Sequence, residues 1–186
     1  MSDDAVWLQA VLDDFDAFLV DHAANERKAS ASAMSLVAHY PDRTVLVARL
    51  IDLAIEELNH FRQVNNLLRE RNLALTHDVR DPYVRALRAE VRGGSAAYFL
   101  DQLLVASVIE ARGVSRFSLL ANAAPLAPAL RRFYSTLAAS ESRHTDLFLD
   151  LARLYFEADE VTSRHGDWIT LEAEIARAQP PGPRLH

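Results

Sequence analysis

No cysteine occurs among the 186 residues. Disulfides, zinc–thiolate sites, iron–sulfur clusters and a cysteine nucleophile are thereby excluded, and any metal must be held by oxygen and nitrogen. Glycine and proline are scarce, at five and seven, while alanine, leucine and arginine dominate, a balance that favours long helices over short strands joined by tight turns. No strand pattern competes. No apolar run approaches the ~20 residues that a bilayer-spanning helix needs, and the opening "MSDDAVWLQA" is acidic where a secretory leader would be basic. The expectation is a soluble, cytoplasmic protein with no membrane partner. A hydrophobic content of 50% is enough for a sizeable core, and the length is that of one compact domain, residues 1–186.

Lysine is nearly absent as well, and its one occurrence lies in the part of the chain that is basic. The formal net charge of −6 hides an asymmetry. The first 25 residues carry six acidic groups and no basic one, and residues 146–186 carry eight acidic against four basic. Residues 26–145 carry 12 acidic and 16 basic groups, all arginine except Lys28. A polyanion, if it binds anywhere, meets this middle stretch.

Punctuation divides the chain into helical tracts. Leu8, Val11, Leu12 and Phe15 mark a lead-in helix over about 5–19. A second tract runs over about 21–39 and stops at "HYPDR", where Pro41 disfavours helix at Tyr40 and Asp42 can cap the next start. The third, about 42–72, places Val45, Ile51 or Leu50, Leu53, Val64 and Leu67 or Leu68 on related faces. A short helix near 81–92 ends at Gly93-Gly94. Tracts over about 95–122 and 127–158 follow, separated by Pro125 and Pro128; then come a surface helix near 168–178 and a frayed tail from about 179.

Polar residues on the buried stripes carry the chemistry. Glu57 shares a face with Leu53, His60 and Val64, and Glu141 shares one with Leu137, His144 and Phe148. Glu26 and Glu110 lie on apolar stripes too. A buried carboxylate is costly unless it is paired or bound to metal, so each needs a partner. Their spacing is decisive: Glu26 to Glu57 is 31 residues, Glu110 to Glu141 is 31, and adding 84 to Glu26, Glu57 and His60 gives Glu110, Glu141 and His144. The chain is two copies of a helix-hairpin unit, each giving one lone Glu and one Glu-x-x-His. Residues at i and i+3 sit one turn apart on one face, so each Glu-x-x-His can present an oxygen and a nitrogen to one ion. Four carboxylates and two imidazoles on four helices make the dinuclear iron or manganese arrangement of ferritin-like bundles, and such donors suit those metals better than structural zinc. A single Glu-x-x-His in an acid-rich chain is a coincidence more often than not; six residues in register are another matter. His22, one turn before Glu26, fits either an outer role behind that ligand or an ordinary solvent-side position at a helix start.

The stretches "DHAANERKASASAMSLVAHYPDR", "LVARLIDLAIEELNHFRQVNNLLRERNL", "DQLLVASVIEARGVSRFSLLA" and "FYSTLAASESRHTDLFLDLARLY" together resemble the tRNA hydroxylases that act on 2-methylthio-N6-isopentenyladenosine, the hypermodified base beside the anticodon. The resemblance runs over roughly residues 5–175, in order and without a gap. It implies an all-α, ferritin-like bundle; a non-haem di-iron centre held by Glu26, Glu57, His60, Glu110, Glu141 and His144; and a monooxygenation that uses O2 and electrons from an external, ferredoxin-type donor. No haem or flavin is implied. Cysteines of the family's first and third motifs are absent here, where Ala24, Asn25, Gly113 and Val114 stand nearby; none is a ligand. The implied partner is a tRNA anticodon stem-loop, with phosphate contacts assigned first to Arg112 and Arg116, for which surface ion pairing is the competing role. The alternative is a ferroxidase or iron-storage protein of the ferritin kind, against which stands Leu58, where a haem-binding methionine would be needed.

Overall fold

The computed structural model describes residues 2–186. Among these the chain forms seven helices and no strand: α1 (Asp3–Asp13), α2 (Phe15–His39), α3 (Thr44–Glu70), α4 (Pro82–Ala89), α5 (Ser95–Ala121), α6 (Pro128–Tyr155) and α7 (Ala158–Ala178). They divide into two compact units. One comprises Gln9–Val79 with Gly182–Leu185; the other takes the segment through Leu8, Arg80–Pro181 and His186.

The first of these is built on α2 and α3. The break between the lead-in helix and α2 falls at Asp14, whose side chain accepts a hydrogen bond from the Ala17 amide at 3.0 Å. An aspartate at this N-cap satisfies an orphan donor of the new helix, so α2 starts at Phe15 rather than near 21, and the lead-in ends at Asp13 rather than near 19. At the other turn Arg43 occupies the N-cap without a side-chain bond, and the capping role expected of Asp42 is not used. The two helices run antiparallel: Asp16 near the start of α2 bonds Arg71 just past α3, and Ser30 donates to the Ala54 carbonyl midway. The buried face of α3 is Leu46, Leu50, Leu53, Glu57, His60, Val64 and Leu68, steps of three and four that follow the helical period. Val45 and Ile51, expected on that face, are exposed. The tail expected to fray is tied down at its end, where the Leu185 amide donates to Asp21 at 2.8 Å and Leu185 is buried.

The other unit pairs α5 with α6, again antiparallel: Phe99 packs on Tyr155 and Phe117 on Tyr134. Displacing the Ser30–Ala54 pair by 84 gives Val114 and Ala138, within one turn of the observed approach of Gly113 to Glu141. The sequence repeat is therefore a structural one. The last helix, α7, begins at Ala158, ten residues before the expected surface helix, and buries Val161, Trp168 and Glu172. The stretch "VTSRHGDWIT" has weak intrinsic helix preference; a tertiary contact overrides it. Asp101, fully buried on α5, accepts from the Arg92 amide at 3.0 Å, from both arms of Arg92 and both arms of Arg164 at 2.8–3.0 Å, and from Trp168 Nε1 at 3.3 Å. Two guanidinium forks and an indole thus fasten α7 and the α4–α5 link to one carboxylate.

Burial alone would raise the Asp101 carboxyl, but Arg164 and Arg92 outweigh it and hold the group well below the ordinary range. Its folded-state pKa is depressed, so its contribution to stability is fully present above the unfolded value of about 3.9 and is lost as pH falls below that. Asp101→Ala, which strands two arginines, is expected to cost about 3 kcal/mol and lower the melting temperature by about 10 °C at pH 7. The gap to wild type should narrow at pH 3. A variant that melts with wild type at pH 7 would show that α7 is held by other means.

Candidate metal centre

Each hairpin brings together one trio of potential ligands. In the α2–α3 unit, Glu26, Glu57 and His60 are 4%, 1% and 5% exposed, and one ligand atom of each lies within 4.8 Å of the others. His60 Nδ1 is 3.6 Å from Glu26 Oε2 and 3.5 Å from Glu57 Oε2. Glu57 and His60 are brought together by one helical turn, and Glu26 reaches them because α2 and α3 are antiparallel about Ser30 and Ala54. His22 is fully buried and shares a 2.6 Å hydrogen bond with Glu26 Oε1; the solvent-side position weighed for it is not the one it takes. Burial would raise the Glu26 carboxyl, but hydrogen bonds from His22 and then His60 outweigh it, so the group stays ionised far below the usual carboxylate range.

In the α5–α6 unit, Glu141 and His144 are each 3% exposed and Glu110 is half-buried. One ligand atom of each again lies within 4.8 Å of the others. His144 Nδ1 and Glu141 Oε2 are 2.9 Å apart, and Thr145 donates to the Glu141 carbonyl at 3.1 Å. Position for position this repeats the first trio, but the neighbours differ. Four residues before Glu110 stands Ala106, not a histidine.

Two carboxylates and one imidazole per hairpin, buried and converging within 4.8 Å, are a costly arrangement for a metal-free protein and a suitable one for a divalent cation. Hard oxygen donors with imidazole and no thiolate fit iron or manganese. All six residues expected as ligands are thus found in two clusters, five of them buried and Glu110 half-buried.

Arg112 and Arg116 both make the ion pairs weighed for them in the sequence. Arg112 makes a two-pronged bond to Glu172, at 2.7 and 2.8 Å, and the fully buried Tyr83 hydroxyl donates to the same carboxylate at 2.8 Å. Burial first, then Glu172, pushes the Tyr83 hydroxyl well above its ordinary pKa. Arg116 donates to Asp4 at 3.1 Å and lies over the Trp7 ring at 4.3 Å. Both arginines line a cleft of about 290 Å³ with Asp3, Asp4 and Arg177. Sequence reasoning missed Asp101, Tyr83 and Glu172. For Asp101 a signal existed: it is the single charge inside the apolar run "YFLDQLLV". Glu172, in the polar-looking "LEAEIARA", gives none.

Crowded buried carboxylates predict an inverse relation between stability and binding. Glu57→Gln, which keeps the shape and removes a charge, is expected to raise the melting temperature of the metal-free protein by about 2–4 °C. Saturating iron(II) or manganese(II) should stabilise wild type and leave the variant nearly unmoved. A thermal-shift titration decides this, and equal stabilisation of both proteins would remove Glu57 from the ligand set.

No helix among the described residues is long and apolar enough to cross a membrane. The family model described as tRNA-(MS[2]IO[6]A)-hydroxylase (MiaE) matches residues 2–186. Two curated proteins named tRNA 2-(methylsulfanyl)-N(6)-isopentenyladenosine(37) hydroxylase are similar. That of Pseudomonas putida is 35% identical over 179 residues, 96% of this chain and 85% of its own length; that of Salmonella typhimurium is 30% identical over 89% of this chain, which spans 60% of that longer protein. Among solved structures, "Protein 43 with aldehyde deformylating oxygenase activity from Synechococcus" superposes with a TM-score of 0.91 at 33% identity, covering 97% of this chain and 90% of that one. The fold is accordingly all-α and of the ferritin-like class expected from the paired hairpins. With a match from residue 2 to the last and about a third of its residues shared with proteins of that name, the chain belongs to the MiaE family of tRNA hydroxylases.

Proposed function

We propose that the protein is an oxygen-dependent tRNA hydroxylase that hydroxylates the isopentenyl group of 2-methylthio-N6-isopentenyladenosine beside the anticodon, at a di-iron centre held by Glu26, Glu57, His60, Glu110, Glu141 and His144. The observation that carries the reading is the pair of buried Glu and Glu-x-x-His trios in 84-residue register, within a chain that matches the family from end to end.

When bound, the irons supply the activation of dioxygen: with two electrons from an external donor and two protons, one oxygen enters an allylic C–H bond as a hydroxyl and the other leaves as water. The chain's own residues do the rest. Glu57 with His60, and Glu141 with His144, each offer an oxygen and a nitrogen from adjacent turns. His22 holds Glu26 in one orientation through its 2.6 Å bond, as outer hydrogen bonds to ligands commonly do. Leu53, Val64, Leu137 and Phe148, buried on the ligand-bearing faces, keep water from the reacting atoms. The arginine-rich middle of the chain, Arg112 and Arg116 included, supplies positive charge for phosphates, and an unstacked anticodon-loop base delivers the isopentenyl arm.

Activity of the Synechococcus protein on aldehydes favours a second reading, an aldehyde-deformylating oxygenase; the family match over residues 2–186 favours tRNA. Nucleoside analysis separates the two. Isopentenylated tRNA incubated with iron-loaded protein, reductant and oxygen should gain one hydroxyl on the modified adenosine, and a fatty aldehyde should give no product; the reverse result overturns the proposal. Wild type should bind two irons per chain, and Glu141→Ala or His144→Ala clearly fewer. His22→Ala should keep the count but weaken affinity by about 10–100-fold.

A further inference from the structure

The cleft of about 290 Å³ that Arg112, Arg116 and Arg177 line with Asp3 and Asp4 uses its charges unevenly. Arg112 is committed, with two nitrogens on Glu172 at 2.7 and 2.8 Å. Arg116 is less well satisfied. Its side chain is 11% exposed and its Nη1 donates to Asp4 at 3.1 Å, but its Nε is buried without a hydrogen-bond partner among the described residues. Burial first, and then the charge of Arg112, push its pKa below the ordinary arginine value, as happens to a cation short of counter-charge. Arg177 is exposed; its Nε donates to the Ala173 carbonyl of its own helix at 3.0 Å, and it pairs with no carboxylate among the described residues. Asp4 comes to Arg116 from the start of α1 with 52% of its side chain exposed, and a one-pronged pair so open to water contributes little. With the two aspartates turned away, two guanidinium groups line the cleft with no anion between them.

We propose that this cleft binds one backbone phosphate of the RNA through Arg116 and Arg177, and that Asp4 is its built-in competitor, occupying Arg116 until the phosphate displaces it. The inference rests on the function proposed above and deepens it. A phosphate offers what the single Asp4 contact does not: several oxygens, which planar guanidinium forks grip in pairs. The idle Arg116 Nε is a donor ready for one of them. Trp7 keeps Arg116 in position during the exchange, because it is 4% exposed and its ring lies 4.3 Å from the guanidinium, a contact that does not depend on Asp4. Stray anions have to compete with Asp4 for the same donor. A polyanion already held elsewhere on the arginine-rich middle competes at high effective concentration and wins.

The test is equilibrium binding of an unmodified anticodon stem-loop RNA to the iron-loaded protein, followed by fluorescence anisotropy over a range of salt. Asp4→Asn should bind about threefold more tightly than wild type with the same salt slope, since the competitor goes and the phosphate contacts stay. Arg177→Ala should bind about tenfold more weakly, with the slope of log affinity against log salt reduced by about one. Asp52→Asn, the same charge change at an exposed position of α3, should leave affinity nearly unmoved. None of these three side chains is buried, so all three variants should melt with wild type. Weaker binding by Asp4→Asn, a gain no larger than that of Asp52→Asn, or Arg177→Ala with the affinity and slope of wild type would overturn the inference. Inorganic phosphate at constant ionic strength should displace RNA from wild type. Phosphate that raises the melting temperature of wild type, while RNA affinity ignores every substitution, assigns the cleft to a free anion and overturns the inference too. Binding needs no turnover: the expected shifts with no hydroxyl added to isopentenylated tRNA overturn the proposed function alone, and hydroxylation with RNA affinity unmoved in Asp4→Asn and Arg177→Ala overturns the inference alone.

Discussion

A carboxylate buried on an apolar helix face has to be compensated, and this protein places several in that position. Around Glu26 the compensation is local, by His22 and His60; around Glu141 it comes from His144. Around Asp101 it is two guanidinium forks and an indole. These three carboxylates look alike in sequence and serve different ends. Asp101 is surrounded by fixed cationic partners of its own chain, so it has no call on a metal and acts as a fastener. Glu26 with Glu57, and Glu110 with Glu141, converge instead on an imidazole of their own hairpin, an arrangement that suits a divalent cation.

The hairpins make that convergence geometric rather than accidental. Two antiparallel helices bring residues from opposite ends of a 31-residue interval to the same level, and one turn of α3 or α6 supplies a histidine beside each glutamate. Duplication by 84 residues preserves the pairing, because both members of every contact move together. What duplication does not preserve is the surroundings. His22 in one copy is matched by Ala106 in the other, and Ala29 by Gly113.

The arginines illustrate how charge counted along a chain differs from charge available to a ligand. Arg112 is committed to Glu172, and Arg116 to Asp4 and the face of Trp7. Their positive charge is thereby largely local to the cleft they line with Arg177. The acidic first helix holds one of these arginines in place through Asp4.

Helical class, the hairpin repeat and all six candidate ligands were readable from the sequence, since each depends on periodicity and spacing that the chain carries locally: 3.6 residues per turn, 31 residues per hairpin and 84 per repeat. Helix ends were less readable. Asp14 ends one helix and starts another by a single capping bond, and α7 extends back to Ala158 because Asp101, some sixty residues away, gathers Arg164 and Trp168. The same holds for the face of α3, where a choice between Val45 and Leu46, or Ile51 and Leu50, turns on about a quarter of a helical turn that only packing fixes. Tertiary structure alone decided that His22 is buried against Glu26 and that Tyr83 and Arg112 meet on Glu172. Sequence determines which residues share a helix face; which neighbour that face meets is set by contacts between residues far apart in the chain, and no local period encodes them.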